Sequence, residues 1–157
     1  MKVVVIQIGK TDMKSIQTAL EDYYARIRKM MPLEIITIPD LKNRGSIPVE
    51  KQKIIEAERV KQQIRDGDYA ILLDEKGEMK NSKQFAELIQ SQMISGYRRL
   101  LFIIGGPWGL HQDLLPKAGL VLSLSRMTYS HQLVRLLFAE QIYRALTIIN
   151  GIPYHNE

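Results

Sequence analysis

The sequence predicts a single α/β domain whose mostly parallel sheet has helices on both faces. Strand-length runs of β-branched and apolar residues alternate with helix-length runs, in a strand-then-helix order repeated along the chain. No internal repeat and no low-complexity segment interrupts this order. At 157 residues, of which 45% are hydrophobic, the chain is long enough for one core, so we expect one domain over residues 1–157.

Local signals predict the first two strands and the helix between them. Residues 2–8 are largely β-branched, and Thr11 or Asp12 can then cap a helix that continues to about Met30. Residues 33–38 are β-branched and lie between two prolines, which predicts the second strand.

The middle of the chain predicts a loop, a charged helix and a third strand. Segment 39–48 is rich in turn residues and should be an exposed loop. Residues 49–65 mix both signs of charge with apolar positions, which is typical of a helix with one solvated face. The turn at 66–68 leads to an apolar strand at 69–73, which we expect to be covered on both faces.

The last part of the chain repeats the alternation, with Ser82 as a possible helix cap. We predict helices at 83–95, at 111–117 and from about Ser130 onward. Strands are predicted at 99–104 and 120–124. Twelve of the eighteen residues in 132–149 are apolar, so the final helix is either buried in the monomer or packed against a second chain. Arg135, Glu140 and Arg144 interrupt it and would need partners if buried.

Composition limits the classes of partner. The formal net charge of +5 and a sequence pI near 9.4 fit a polyanionic partner, and equally a domain that is merely basic. The absence of cysteine leaves no disulfide framework and favours a cytoplasmic location. The apolar run at the N-terminus is interrupted by Gln7, and no stretch approaches the ~20 apolar residues that cross a bilayer, so we expect no membrane partner.

Three strand ends carry the residues expected to form a site, because ligands bind beyond the carboxyl ends of parallel strands. These ends are 73–77, 105–109 and 124–129. The glycine loop GGPWG matches neither the dinucleotide nor the triphosphate fingerprint, which disfavours both ligand classes. Gly105 and Gly106 could expose bare backbone to a flat ligand, or they could simply form a tight turn fixed by Pro107.

The segment that joins the fifth strand to the last helix could hold an anionic group, since a helix N-terminus supplies free N–H groups. Ser125 and His131 suggest a hydrolase, but no nucleophile-elbow motif is present, so a serine triad is disfavoured. The histidines at 111, 131 and 155 lack the spacing of metal ligands, so no metal is expected.

Four motifs in this order resemble the SPOUT class of S-adenosylmethionine-dependent RNA methyltransferases, and the resemblance extends over essentially the full length. The motifs are LLDEKG (72–77), FIIGGPWGLH (102–111), LSLSRMTYSHQLVRLLFAEQIYRA (122–145) and PYHNE (153–157). The resemblance implies a C-terminal trefoil knot, a homodimer, and N3-methylation of a pseudouridine in 23S ribosomal RNA on the assembled ribosome. A knot would break the general rule that chains do not thread loops.

By the same resemblance, the S-adenosylmethionine contacts map to the three strand ends. They are Leu73, Gly105, Leu124, Ser125, Arg126, Met127, Thr128 and Tyr129. Adenine needs a flat apolar slot with backbone hydrogen bonds, which these residues can provide.

Methylation at N3 also requires that a proton be removed or an anion stabilised. The candidates are His131, Arg135, His155 and Glu157, and the tail residues Tyr154 and His155 could close over the substrate or over a partner chain's site. The family's tail usually has a basic residue where this chain has Asn156, which weakens any role that depends on charge there.

Three functions remain open at this point. The chain could methylate the pseudouridine in 23S ribosomal RNA, methylate a different RNA with the same machinery, or be a non-catalytic ribosome-binding protein that keeps the fold. In each case Lys42, Arg44 and the charged helix could contact RNA.

Overall fold

Five strands form one parallel sheet in the computed structural model, which describes residues 1–156. The strands are β1 (Lys2–Ile8), β2 (Leu33–Ile38), β3 (Asp68–Met79), β4 (Arg99–Ile104) and β5 (Leu120–Ser123). They lie in the order β2-β1-β4-β3-β5, and every neighbouring pair is parallel. The predicted α/β class with a parallel sheet is confirmed.

Helices cover both faces of this sheet, as predicted. They are α1 (Lys14–Arg28), α2 (Val49–Lys61), α3 (Ser82–Ile94) and α4 (Leu133–Ile149), with short 3₁₀ helices at Arg44–Ser46 and Gln112–Lys117. On one face α4 packs against both α1 and α3, around an aromatic centre of Phe85, Phe102 and Phe138. On the other face α2 and the second 3₁₀ helix cover a smaller apolar cluster. No helix in residues 1–156 is long and apolar enough to cross a membrane.

Helix α4 is mostly buried within its own chain. Phe138, Ile142 and Leu146 are among its fully buried side chains, while Leu133 and Leu137 keep 39% and 36% of their surface exposed. Arg144 donates to Glu140 Oε1 from Nε at 3.0 Å, so these two predicted interruptions partner each other. Packing within one chain therefore buries most of the apolar side chains of α4, but it leaves Leu133 and Leu137 exposed.

Two predicted helix caps are wrong. Neither Thr11 nor Asp12 caps α1; instead the side-chain Oε1 of Gln132 accepts the N–H groups of Asp12 and Met13, at 2.9 and 3.1 Å. Because this acceptor comes from the far end of the sequence, no local pattern could reveal it. Helix α3 is capped by Asn81 rather than Ser82.

Strand β3 extends beyond its predicted end at Leu73. It continues to Met79, and its pairing with β5 resumes at Glu78 after a shift in register. Gly77 permits this close pairing, since a Cβ atom there would lie 2.7 Å from the backbone of Val121 and Leu122. Conversely, α2 ends at Lys61, short of the predicted position 65.

Candidate functional site

A cavity of about 450 Å³ lies beyond the carboxyl ends of β4 and β5 and beside residues 73–76 in the middle of β3. All three strand ends singled out in the sequence contribute to its wall. The wall residues include Leu73, Asp74, Glu75, Lys76, Ile104, Gly105, Gly106, Trp108, Leu122, Leu124, Ser125, Met127, Thr128, Tyr129, His131 and Val134. A volume of this size is typical of sites for small molecules and cofactors.

Seven of the eight predicted cofactor contacts line this cavity, and Arg126 is the exception. Its Nη1 donates to the backbone oxygen of Glu75 at 2.7 Å, and Thr128 Oγ1 donates to the Glu75 carboxylate at 2.8 Å. These two bonds fasten the loop after β5 to the middle of β3. Arg126 thus holds two walls of the cavity together.

One part of the cavity wall is apolar, although charged and polar side chains also line the cavity. Leu73, Ile104, Leu122 and Leu124 come from three neighbouring strands or their ends, and Val134 comes from the first turn of α4. Such a slot suits a flat ring, while the loop backbones around it offer hydrogen-bonding groups.

The glycine loop is a tight turn that also exposes its backbone to the cavity. Gly109 N–H donates to Gly106 O at 3.0 Å, and Gly109 has a φ of +74°. A Cβ atom on Gly105 would lie 2.8 Å from the Gly109 carbonyl carbon, so a side chain at that position would clash with the turn. The loop can therefore be both a tight turn and a stretch of backbone that is open to a flat ligand.

Within residues 1–156, His131 is the only predicted base candidate that lines this cavity. Partial burial lowers its pKa below the ordinary 6.5, and the nearby cations Arg135 and Arg44 lower it further, against smaller opposing effects of Asp40 and Asp12. The imidazole is therefore neutral at pH 7 and can accept a proton.

Arg135 is not among the residues that line the cavity, and only 1% of its surface is exposed. Nη1 donates to Thr11 Oγ1 at 2.8 Å and Nη2 donates to the backbone oxygen of Ile8. These bonds join α4 to the carboxyl end of β1. Burial lowers the pKa of the guanidinium below its usual value, and Nε has no hydrogen-bond partner in residues 1–156.

The tail packs on its own chain away from this cavity. The Tyr154 hydroxyl donates to Glu140 Oε1 at 3.2 Å, and its ring lies 4.8 Å from that of Tyr143. His155 Nδ1 is 3.3 Å from Arg144 Nη1. Neither predicted tail residue reaches the cavity of its own subunit, and Glu157 lies outside the described residues.

Two residues near the site had no distinguishing signal in the sequence. Lys53, on α2, lines the cavity although it looked like one of many charges on a solvated helix face. Glu56, one turn later, is only 6% exposed, and its carboxylate would lie 3.8 Å from a Cβ atom on Gly106. Burial raises the pKa of Glu56, and the negative charge of Asp40 adds to this.

The described residues contain no group of three acidic or histidine side chains placed to hold a metal ion. His111 Nε2 lies 2.9 Å from Glu50 Oε1, and its Nδ1 accepts the Asp113 N–H at 3.2 Å. This histidine thus has a structural role, as the cap of the second 3₁₀ helix.

The whole chain is similar to known methyltransferases. A family model described as predicted SPOUT methyltransferase matches residues 1–155. Proteins named ribosomal RNA large subunit methyltransferase H from Parabacteroides distasonis and Flavobacterium johnsoniae are each 43% identical over 157 residues, which is 100% of both chains. A probable methyltransferase from Bordetella pertussis has a similar fold, with a TM-score of 0.60, 12% identity, and coverage of 92% of this chain and 96% of that one.

Proposed function

The chain belongs to the SPOUT methyltransferase family, and from this premise we propose that it is an S-adenosylmethionine-dependent ribosomal RNA methyltransferase. The observation that carries the proposal is the convergence of the three strand ends on one cavity, in a chain that is similar to its relatives over its full length. We further propose that its target is N3 of a pseudouridine in 23S ribosomal RNA, on the assembled ribosome in the cytoplasm.

The residues of the cavity fit S-adenosylmethionine. Leu73, Leu122 and Leu124 can enclose the adenine, and the backbone at Gly105 and along 124–129 can hydrogen-bond to its edges. When bound, the cofactor supplies an electrophilic methyl group on a sulfonium. The protein's own task is then mainly to align a nucleophile with that methyl group.

We assign the proton-accepting role to His131. It lines the cavity, and its lowered pKa leaves the imidazole free to accept the N3 proton at neutral pH. Arg135, one helical turn later, instead fixes the start of α4 against β1 and is a positioning residue. His155 remains a candidate only through a second subunit, and Glu157 remains a candidate outside the described residues.

In a homodimer, the C-terminal tail of one chain could reach the cavity of the other chain. The exposed Leu137 of α4 lines an apolar groove of about 420 Å³ to which α1, α3 and β5 also contribute, and a partner helix could fill this groove. From family membership we also propose that the C-terminal segment is threaded as a trefoil knot. The loop tied to Glu75 and the buried α4 would be parts of that knot.

The net charge of +5 supports an RNA partner. Lys53 lines the cavity, and Lys42 and Arg44 lie on the exposed loop before α2, where they could contact phosphates. These positions would place positive charge beside the proposed methyl donor.

Calorimetry with S-adenosylmethionine separates an enzyme from a non-catalytic ribosome-binding protein. We expect saturable binding to one site per chain; no detectable binding would eliminate the enzyme. Mass spectrometry of 23S ribosomal RNA from cells that lack the protein then tests the target. An unchanged level of methylpseudouridine would mean that another RNA is methylated.

A further inference from the structure

Trp108 is the single tryptophan of the chain, and the chemistry proposed above does not use it. It lies on the wall of the cavity with 54% of its surface exposed. No aromatic pair or cation–π contact in residues 1–156 includes it. An isolated exposed apolar side chain is common on proteins, so its informative feature is its position beside the site.

The glycine turn presents this ring on a rigid support. The hydrogen bond from Gly109 N–H to Gly106 O closes a four-residue turn with Pro107 and Trp108 at its centre. Pro107 fixes one backbone torsion, and Gly106 packs against Ile8, where a Cβ atom would lie 3.2 Å from Cγ2. Tryptophan has only two side-chain torsions, so a flat partner can bind it at a small cost in conformational entropy.

The wall that includes the ring carries charges of both signs, with Lys53 and Lys76 against Asp74 and Glu75. The two carboxylates accept hydrogen bonds from the loops themselves: Asp74 accepts the Lys76 backbone N–H at 2.9 Å, and Glu75 accepts the Thr128 hydroxyl at 2.8 Å. These bonds orient the carboxylates but leave their negative charge in place. Lysines on the same wall as an exposed aromatic ring give the cavity both kinds of group with which proteins bind single-stranded nucleic acid.

We propose that Trp108 is a stacking platform for an RNA base next to the nucleotide that is methylated. The proposal rests on the proposed function, and it adds a residue that binds the substrate rather than the cofactor. The adenine slot is lined by leucines from the strand ends, while Trp108 is half-exposed at the rim. The groove proposed for a second subunit does not include Trp108 either.

Steady-state methylation of ribosomes tests this role. Trp108→Ala should raise the KM for ribosomes roughly 5- to 150-fold, the effect of losing one base–aromatic stack, whereas Trp108→Phe should retain most of the affinity. The Kd for S-adenosylmethionine should not change in either variant. Ile94→Ala is the matched control, because Ile94 is an exposed apolar residue (81%) at the end of α3, and its removal should change neither constant.

Two results with Trp108→Ala would overturn the proposal, one in KM and one in Kd. An unchanged KM for ribosomes in Trp108→Ala would show that the ring does not bind substrate. A Kd for S-adenosylmethionine that weakens by the same factor as KM rises would instead assign Trp108 to the cofactor site.

Fluorescence separates failure of this proposal from failure of the proposed function, because Trp108 is the only indole in the chain. Short single-stranded oligouridine, added with saturating S-adenosylhomocysteine, should quench its emission in a saturable manner even if no ribosome is methylated. No quenching would contradict the stack. Emission that changes with protein concentration alone would place Trp108 in a subunit contact and would also contradict it.

Discussion

At the scale of single residues, the chemistry proposed for this chain depends on the protonation state of His131. Its imidazole lines the cavity, and both burial and the positive charges of Arg135 and Arg44 lower its pKa. Lowering the pKa of a histidine increases the fraction of the neutral, basic form at a given pH. It can therefore act as a proton acceptor throughout the neutral range.

The pH profile of methylation should reflect this shift. We expect kcat/KM to fall as the pH is lowered and His131 becomes protonated, with the midpoint of this fall below the pH at which an ordinary histidine titrates, because the pKa of His131 is lowered. His131→Gln should lower kcat by about 100-fold or more and leave the cofactor Kd unchanged. Full activity in this variant would mean that another group removes the proton.

Most of the site residues predicted from sequence line the cavity, but Arg126 and Arg135 do not. The cofactor contacts that line the cavity converge because β4, β3 and β5 are adjacent parallel strands: Gly105 and the loop from Leu124 follow β4 and β5, and Leu73 lies in β3 between them. Arg126 was assigned to the cofactor by the family resemblance and Arg135 was a candidate for proton removal or anion stabilisation, yet both donate hydrogen bonds to backbone oxygens and neither lines the cavity. Charge in a sequence cannot distinguish a group that contacts a ligand from one that ties two elements together.

At the scale of elements, the strands were easier to predict than the boundaries set by tertiary contacts. The bounds of β1, β2 and β4 agree with the prediction, because each is a short apolar or β-branched run with clear flanks. The start of α1 depends on Gln132, more than a hundred residues away, and the extension of β3 depends on its pairing with β5. Neither contact leaves a local signature in the sequence.

The pairing of β3 with β5 should be sensitive to the residue at position 77. Gly77→Ala would place a Cβ atom 2.7 Å from the backbone of Val121 and Leu122, and would push apart two strands whose ends form the cavity. We expect a loss of about 2 kcal/mol or more in the free energy of unfolding, together with weaker cofactor binding. Urea unfolding and calorimetry measure the two effects.

Gly45→Ala is the matched control for that substitution. A Cβ atom at Gly45 meets no other atom within 4 Å, so both quantities should stay at the wild-type value. Equal behaviour of the two variants would contradict the proposed role of the close β3–β5 contact.

The tail is the element whose role depends most on a second subunit. Truncation after Gly151 should abolish methylation and leave the cofactor Kd nearly unchanged, because the tail does not line the cavity of its own chain. A heterodimer of this truncated chain with a full-length His131→Gln chain should recover activity, since one site then has both His131 and a partner's tail. Full activity of the truncated protein alone would remove the tail from the mechanism.

At the scale of the whole molecule, the dimer should depend on the exposed part of α4. Ultracentrifugation should give a mass near twice 18.1 kDa for the wild-type protein. Leu137→Glu should shift this equilibrium toward the monomer, because it places a charge in the apolar groove beside α1. Ile94→Glu, on an exposed position away from that groove, should remain dimeric. A wild-type protein that stays monomeric at all concentrations would contradict the proposed interface.

The fold class could be predicted from the strand–helix alternation, and the position of the site from the composition of three strand ends. Burial of α4 within the monomer could not be predicted, since an apolar helix looks the same whether its own chain or a partner covers it. The identity of the ligand came only from similarity to a family, because an apolar slot with exposed backbone suits many flat molecules.

The most direct test of the central claim is methyl transfer from labelled S-adenosylmethionine to ribosomes, with free subunits and intact particles compared. We predict that the wild-type protein incorporates label into 23S ribosomal RNA as N3-methylpseudouridine, that intact ribosomes are the better substrate, and that His131→Gln incorporates almost none. Protein that binds the cofactor but transfers no label to any ribosomal RNA would contradict the claim.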